Sequence, residues 1–425
     1  MLRKLQRLFL KRRKTIPTDP IVKLPIEILL YIFQICSLSD IIALIRVNRY
    51  FYESLHPLLF ETINFHSEKS CKRSLAACQL IIKKPSLGRA VLRFDPAGSH
   101  FKRQTERVHQ ISRIQADAIA LMPNLTDLNI WGRSILPLHL ARIARKPSAP
   151  RLRRLTLMQV IPEEWMHIIP QLVRAHPMLT ELRLWPTLRA DQFSESAPGF
   201  TLNRSDAPRL RSFTGSLPVL GNLLQDKETA DHEQITHATI ASPILLHEHF
   251  EALDVLRAKG ASLRSFQCHV VVANWHAMEV IAKALPQLEV LKLHVLANFK
   301  RDRFMSFINQ VEGLEHFTKL RELHLNSRDV TVLHRTAFRK KGAEFETVHR
   351  LGKQCTTLQV ITMPPYRRWV RNEEDDTWSV LSGRELHDHI NFVKAQLGRP
   401  NDGQLGRSQP RLDRSEDASG AARNV

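Results

Sequence analysis

The sequence predicts an α/β protein in which three short helices are followed by a curved solenoid, with parallel strands on its concave face and helices outside. The first observation is a short apolar pattern, L-x-x-L-x-L, that recurs beyond residue 85. The second is a proline two residues before several copies, where a helix gives way to extended chain. The third is helical apolar spacing ahead of these prolines. Helix–turn–strand units of this kind stack side by side.

Residues 21–65 carry the signals of the three helices. Pro25 stands at a first helical turn, where its missing N–H is tolerated. Ser37 and Asp40 have capping-box spacing ahead of a second helix, which should begin at about Asp40. Asn48 ends this second run, and a third apolar group follows it. Helices this short cannot bury all their apolar side chains, so the unit needs a partner surface.

This segment resembles the F-box family, the modules that dock on the Skp-type adaptor of cullin-RING (SCF) ubiquitin ligases. The family opens with Leu-Pro and an acidic residue, met here by Leu24-Pro25 and Glu27. Asn48 stands where the family often has Cys, and Phe60 replaces a late Trp. The resemblance implies that apolar residues of this segment contact the adaptor, namely Leu24, Pro25, Ile28, Leu29, Ile32, Phe33, Leu38, Ile41, Leu44 and Val47. The alternative is a plain helical cap buried on the repeats behind it.

The repeat is found in nine copies after the front segment. Five keep the full pattern: Leu125-Leu128-Ile130, Leu152-Leu155-Leu157, Leu179-Leu182-Leu184, Leu288-Leu291-Leu293 and Leu320-Leu323-Leu325. Four are degenerate: Leu210-Phe213-Gly215, Ile235-Ala238-Ile240, Leu263-Phe266-Cys268 and Leu358-Ile361-Met363. Val91–Phe94 is a candidate for an earlier, incomplete copy. The spacing, mostly within the range of long leucine-rich repeats, makes the body resemble that family in its irregular, F-box-associated form.

The two resemblances set the predicted domain boundaries. We expect a basic tail over residues 1–20, the F-box over 21–65 and a linker helix over 66–86. The solenoid should then cover residues 87–363. A cap over 364–398, with a helix around Leu386–Leu397, should close it, and the polar residues 399–425 should form a disordered tail.

The concave face of the solenoid is the predicted surface for a protein substrate. Side chains of a strand alternate, so residues between the inward leucines should point to this face. Trp131, Met158 and Trp185 then form an apolar column on neighbouring strands, and aromatic side chains commonly anchor interfaces. We expect acidic groups of the substrate near basic residues of the neighbouring columns, namely Arg154, Arg183 and Lys292. The alternative is that the two Trp side chains fold into the strand-to-helix loops as local core.

The formal net charge of +20 does not by itself indicate a nucleic-acid partner. The first 14 residues contribute +7, and the remaining excess is spread without a dense basic block. The basic start could instead form a membrane-surface helix, a nuclear import signal, a mitochondrial address or a disordered tail. No apolar run has the length of a membrane span. Five scattered cysteines without a C-x-x-C pair favour a reducing compartment, cytoplasmic or nuclear.

Signatures of catalysis, cofactor binding and metal binding are not found in the sequence. It contains no nucleophile elbow, no phosphate-binding glycine loop and no H-E-x-x-H motif. We therefore expect no enzyme activity, cofactor, metal or small-molecule substrate. The expected function is that of a substrate-recognition adaptor of an SCF-type ubiquitin ligase, with cullin and RING subunits reached through the Skp-type adaptor. The alternative is a binding protein recruited to acidic membrane or nucleic acid by its basic N-terminus, without a role in ubiquitination.

Overall fold

A computed structural model of the protein describes fifteen segments of the chain. They are residues 26–36, 38–64, 71–96, 105–131, 135–145, 151–160, 167–186, 200–225, 234–244, 250–271, 276–296, 311–327, 343–363, 367–372 and 374–381. The predicted tails over residues 1–20 and 399–425, and the predicted helix around Leu386–Leu397, lie outside these segments.

Three short helices open the described chain, as predicted: α1 Ile26–Ile35, α2 Leu38–Leu44 and α3 Arg49–Leu55. They enclose a small core of their own, formed by Leu29, Phe33, Ile41, Phe51 and Leu55. The rings of Phe33 and Phe51 meet edge to face, with centroids 5.9 Å apart. Asn48 caps α3, because its Oδ1 accepts a hydrogen bond from the Phe51 N–H at 2.7 Å. A 3₁₀ turn, His56–Phe60, leads on, and its Phe60 packs against the main core.

Thirteen strands form one open sheet, and their order in the sheet is their order in the chain. Strands β1 to β11 are parallel, and β12 and β13 continue the sheet antiparallel. The predicted α/β class is thus confirmed. The strands are β1 Thr62–Asn64, β2 Arg93–Asp95, β3 Asp127–Trp131, β4 Arg154–Val160, β5 Glu181–Pro186, β6 Ser212–Gly215, β7 His237–Ile244, β8 Ser265–Val271, β9 Val290–Leu296, β10 Glu322–Ser327, β11 Val360–Met363, β12 Arg367–Arg371 and β13 Trp378–Val380.

Helices alternate with the parallel strands and contact one another along the sheet. They are α4 Cys71–Lys83, α5 Pro85–Gly88, α6 Thr105–Ile119, α7 Pro137–Arg145, α8 Ile168–Arg174, α9 Leu217–Gln225, α10 Phe250–Lys259, α11 His276–Ala284 and α12 Ala343–Gln354. Shorter 3₁₀ turns cover Arg204–Asp206, Gly260–Ser262 and Leu314–His316. Four of the five marker prolines, Pro123, Pro177, Pro208 and Pro286, lie in the turns that separate these elements from the strands. The prolines thus mark the junctions that the sequence predicted.

The apolar pattern sets the register of the sheet. The middle residues of the nine copies are partners on successive strands, in one row: Leu128, Leu155, Leu182, Phe213, Ala238, Phe266, Leu291, Leu323 and Ile361. All of them are buried, together with the leading residue of every copy. A small residue, Ala238, stands between two phenylalanines, so the volume of the row stays even. Neighbouring parallel strands need a crossover connection, and the segments between successive copies supply it.

The sheet extends beyond the leucine pattern at both ends. It begins at β1, in the segment assigned to the helical unit, where Ile63 pairs with Phe94. Helix α4 packs against α6 and contributes Cys78 and Ile81 to the main core. The segment predicted as a linker helix, residues 66–86, thus contains helix α4, which packs on the sheet with the helices that follow. At the other end, the cap consists of β12 and β13, and each strand buries one Trp in the core: Trp369 and Trp378.

The cap is fixed to the last helix by a buried carboxylate. Glu344 of α12 has a side chain that is 5% exposed. Its Oε1 accepts a hydrogen bond from Trp369 Nε1 at 2.9 Å, and its Oε2 pairs with Arg367 at 2.7 Å. Gly352 allows α12 to approach β13, because a Cβ there would lie 2.8 Å from the Trp378 ring.

Candidate functional site

Two surfaces of the protein are candidate binding sites. One exposes apolar side chains, and the other leaves polar side chains accessible. The first is the outer side of α1. Ile28, Tyr31, Ile32 and Ile35 are 49%, 68%, 37% and 76% exposed. Their i, i+3, i+4, i+7 spacing places them on one helical face. We call this face the α1 strip. An apolar row of this kind on a soluble helix is typical of a contact surface.

The predicted adaptor-binding residues divide between this surface and the interior of the helical unit. Ile28, Ile32 and Val47 are exposed, and Leu44 is half-buried. Leu29, Phe33 and Ile41 are buried in the small core, so their side chains support the helices and are not available to a partner. Leu24 and Pro25, and the side chain of Leu38, lie outside the described residues.

Tyr31 and Ile35 belong to the α1 strip, although the sequence analysis did not select them. The family pattern drew attention to the adjacent pairs Ile28-Leu29 and Ile32-Phe33, and only one member of each pair points outward. Helical spacing counted from Ile28 alone would have found both residues, because they follow it by three and seven positions.

The second surface is the face of the sheet that points away from the helices. On β3, β4 and β5 the residues Trp131, Met158 and Trp185 are partners in the register, as the sequence predicted. All three are partly buried. We call them the apolar row. Their role in substrate binding stays a prediction.

The basic residues predicted beside the apolar row have different surroundings. Arg154 forms an ion pair with Asp127, and Arg183 forms one with Glu181. Arg93 lies 3.6 Å from the same Asp127 carboxylate. The charges at the start of neighbouring strands therefore alternate in sign: Arg93 on β2, Asp127 on β3, Arg154 on β4 and Glu181 on β5. Because their charges are already matched within the sheet, Arg154 and Arg183 offer a partner little unbalanced charge.

Polar and titratable groups dominate the same face on β8, β9 and β10. The imidazole rings of His269 and His294 stack with their centroids 4.9 Å apart. Gln267 Nε2 lies 3.0 Å from His294 Nε2. Burial lowers the pKa of His294, and the nearby positive charge of Lys292 lowers it further. His294 is therefore neutral at pH 7 and acts as a polar contact.

A carboxylate and a histidine form a pair on β10. His324 Nε2 lies 3.0 Å from Glu322 Oε2. The hydrogen bond from His324 lowers the pKa of Glu322, and the charges of Arg368 and Lys292 act in the same direction. Glu322 is thus ionised at neutral pH, with Lys292 on the neighbouring strand β9 and Arg368 on β12, two strands away on the other side.

The strand β7 interrupts the regular column between the two halves of this face. Its register shifts after Thr239, so that Pro243 stands opposite His269. Ala241, the position that regular counting assigns to the column, is buried. The apolar row and the histidine-rich half are therefore separated by an irregular strand.

The described residues contain no group of three or more His, Cys, Asp or Glu that could hold a metal ion. Within the same segments, no helix has the length and apolar character needed to cross a membrane. Comparison with known proteins found no family description that matches the chain and no similar curated protein. The assignment of function therefore depends on the two surfaces themselves.

Proposed function

We propose that the protein is a substrate-recruiting adaptor of an SCF-type ubiquitin ligase. In this proposal, the helical unit of residues 26–60 is an F-box that docks on a Skp-type adaptor. The strand–helix array behind it is a curved leucine-rich-repeat solenoid, and its open face binds a protein substrate. The observation that carries the proposal is the α1 strip, an apolar contact surface on a unit with its own small core.

The size of the α1 strip supports a protein partner. Full burial of an Ile side chain stabilises by about 1.5–3 kcal/mol. Ile35 is 76% exposed, so covering the remainder would contribute about 1–2 kcal/mol. Tyr31 has a similar exposed fraction and a larger side chain. The four residues of the α1 strip form a continuous apolar surface on one helical face, of the kind that binds in the groove of a partner protein.

The open face of the sheet supports the second half of the proposal. It carries partly buried Trp and Met side chains in one half and polar, titratable side chains in the other. Interfaces between proteins combine such apolar anchors with a polar surround. A repeat array presents this composition on a sheet of eleven parallel strands, long enough for an extended segment of a substrate.

Affinity purification from cells tests the docking half of the proposal. The full chain should recover a Skp-type adaptor and a cullin. Ile35→Asp, which places a carboxylate in the α1 strip, should abolish this recovery. Leu138→Asp is the matched control, since Leu138 of α7 is similarly exposed at 67% but lies in the helix layer of the array. Its recovery of both proteins should equal that of the unchanged chain.

Two results would contradict the proposal. One is failure of the unchanged, folded chain to recover a Skp-type adaptor. The other is unaltered recovery by Ile35→Asp, which would show that the α1 strip is not the docking surface. The alternative function, recruitment to acidic membrane or nucleic acid, depends on residues 1–14, which lie outside the described residues.

A further inference from the structure

We propose that the C-terminal half of the open face recognises an anionic group of the substrate, through Lys292 and Arg368. We call these residues the cationic row. This inference rests on the proposed function in one respect: it takes the open face as the surface that binds a protein segment. It places the anion site away from Arg154 and Arg183, and it includes Arg368, which the repeat pattern does not predict.

The cationic row is assembled by the register of four consecutive strands. Lys292 of β9 is the partner of His324 on β10, and Thr362 of β11 follows His324. The antiparallel pairing of β12 then places Arg368 opposite Thr362. Trp369 points into the core and Arg367 reaches Glu344 of α12, so alternation directs Arg368 to the open face.

Lys292 and Arg368 differ from Arg154 and Arg183 in that neither forms an ion pair with a described carboxylate. In the part of the chain that the structure describes, no carboxylate lies within ion-pair distance of Lys292 or Arg368. Glu322, whose pKa their charges lower, forms its hydrogen bond with His324 at 3.0 Å. Arg368 Nε is shielded from solvent, and among the described residues it has no hydrogen-bond acceptor.

A carboxylate or phosphate oxygen of a substrate would pair with the charged guanidinium of Arg368, and such charge-assisted hydrogen bonds are stronger than neutral ones. Such a group would also balance the charge of Lys292. Neutral His294 and Gln267, on the strands before β10, add polar side chains to the same half of the face. The chemistry therefore fits an acidic or phosphorylated segment of a protein.

The distance between the two halves of the face sets a spacing for that segment. Trp185 lies on β5 and Lys292 on β9, four strands apart in the sheet. Adjacent strands are about 4.8 Å apart, so the two side chains are separated by about 20 Å. An extended chain covers about 3.3–3.6 Å per residue, and about six residues span this distance. We therefore expect an acidic residue about six positions from an apolar anchor that contacts the apolar row.

Selection from a displayed library of random 14-residue peptides tests this proposal with the purified full chain. Peptides retained by the unchanged protein should be enriched in Asp or Glu five to seven positions from an aromatic or large aliphatic residue. A Lys292→Gln/Arg368→Gln variant should bind the selected peptides about tenfold more weakly, because it lacks the charged donors. The control is Lys72→Gln/Arg257→Gln, which removes two exposed basic residues of the helix layer and the same net charge.

Individual peptides then identify the anion. Replacing the acidic residue by Asn should weaken binding about tenfold, whereas Asp or phosphoserine should keep it. Tighter binding of the phosphoserine peptide would assign phosphate as the natural group, and tighter binding of the Asp peptide would assign carboxylate.

Three outcomes overturn the proposal: a selected set without acidic enrichment, equal binding by the Lys292→Gln/Arg368→Gln variant, or an equal loss in the control variant. The last outcome would indicate general attraction to a protein of high positive charge. The selection uses no ligase subunit, so its failure is distinct from failure to recover a Skp-type adaptor. Circular dichroism of both variants shows whether the fold is intact.

Discussion

The close contact between Gly215 and Phe213 leads to a prediction in which one substitution reverses the effect of another. Both residues lie on β6, two positions apart, and face the core. A Cβ added at Gly215 would lie 2.5 Å from Phe213 Cζ and 3.1 Å from its Cε1. Phe213 is fully buried, so its ring has no free space to enter. We therefore expect Gly215→Ala to destabilise the protein.

The magnitude follows from two opposing effects. Forcing extra volume into a close-packed core costs about 1–3 kcal/mol. Replacing Gly by Ala also restricts the unfolded chain, which stabilises by about 0.4–1 kcal/mol. The net loss should be about 1–2 kcal/mol. In a Phe213→Leu background the ring is gone, so Gly215→Ala should become neutral or stabilising by about 0.5 kcal/mol. The coupling between the two sites is then about 2 kcal/mol.

Urea unfolding followed by circular dichroism measures the four members of this double-mutant cycle. Gly221→Ala is the matched control, since a Cβ there would make an ordinary contact with Val255 at 3.5 Å. This variant, in helix α9, should be more stable by about 0.5–1 kcal/mol. The reasoning is refuted if Gly215→Ala is as stable as the unchanged protein, or if the two core substitutions are additive.

Three further predictions concern a helix cap, the C-terminal cap and pH. Asn48→Ala should lower the free energy of unfolding by about 1 kcal/mol, measured by thermal unfolding, because the Phe51 N–H loses its acceptor. Glu344→Ala should leave Trp369 Nε1 without its acceptor, a cost of about 1–3 kcal/mol, and hydrogen–deuterium exchange should rise at residues 367–371. Burial lowers the pKa of His176 in the folded protein. As the pH falls below about 6.5, the unfolded chain therefore binds a proton at this residue more readily than the folded protein does. Stability should be full above that pH and decrease below it, and His176→Asn should flatten this dependence in urea titrations.

Each of these predictions has a result that would contradict it. For the helix cap, Asn48→Asp should keep the stability of the unchanged protein, and equal losses in both variants would exclude a capping role. For the C-terminal cap, unchanged exchange at residues 367–371 would show that Glu344 does not hold β12 in place. For His176, an equal pH slope in the Asn variant would assign the dependence to other groups.

The register of the sheet could be predicted from the sequence because each copy of the repeat supplies its own alignment. The first, fourth and sixth residues of each copy occupy the same places in every unit, so the pattern fixes which residues are partners. The degenerate copies stay in phase because neighbouring volumes compensate: Ala238 stands between Phe213 and Phe266. Glycine at position 215 leaves room for the Phe213 ring.

The ends and interruptions of the sheet could not be predicted in the same way. Strand β1 is three residues long, buries a single side chain, Ile63, and has no leucine pattern. The register shift in β7 has no counterpart in the spacing of the copies, and it removes Ala241 from the exposed column. Strand β12 is antiparallel and follows the last copy of the pattern. The pattern therefore does not predict that Arg368 lies in the same row as His324, with Thr362 between them.

The candidate surfaces were predicted in outline, and their details depend on contacts that spacing does not show. Alternation predicted correctly that Trp131, Met158 and Trp185 are neighbours. It could not show that Arg154 is paired with Asp127, because the direction of a long side chain depends on competing partners. In α1, the family pattern selected both members of the pairs Ile28-Leu29 and Ile32-Phe33, and only the position of the small core decides which of them point outward.

The sequential order of the strands has a consequence for how the protein is made. Each strand pairs only with strands that are next to it in the chain, so assembly requires no contact between distant segments. Such a fold can form unit by unit while the chain leaves the ribosome, starting from the N-terminal end. The helical unit emerges first and has its own core, so the α1 strip can meet a partner before the last strands of the sheet have been synthesised.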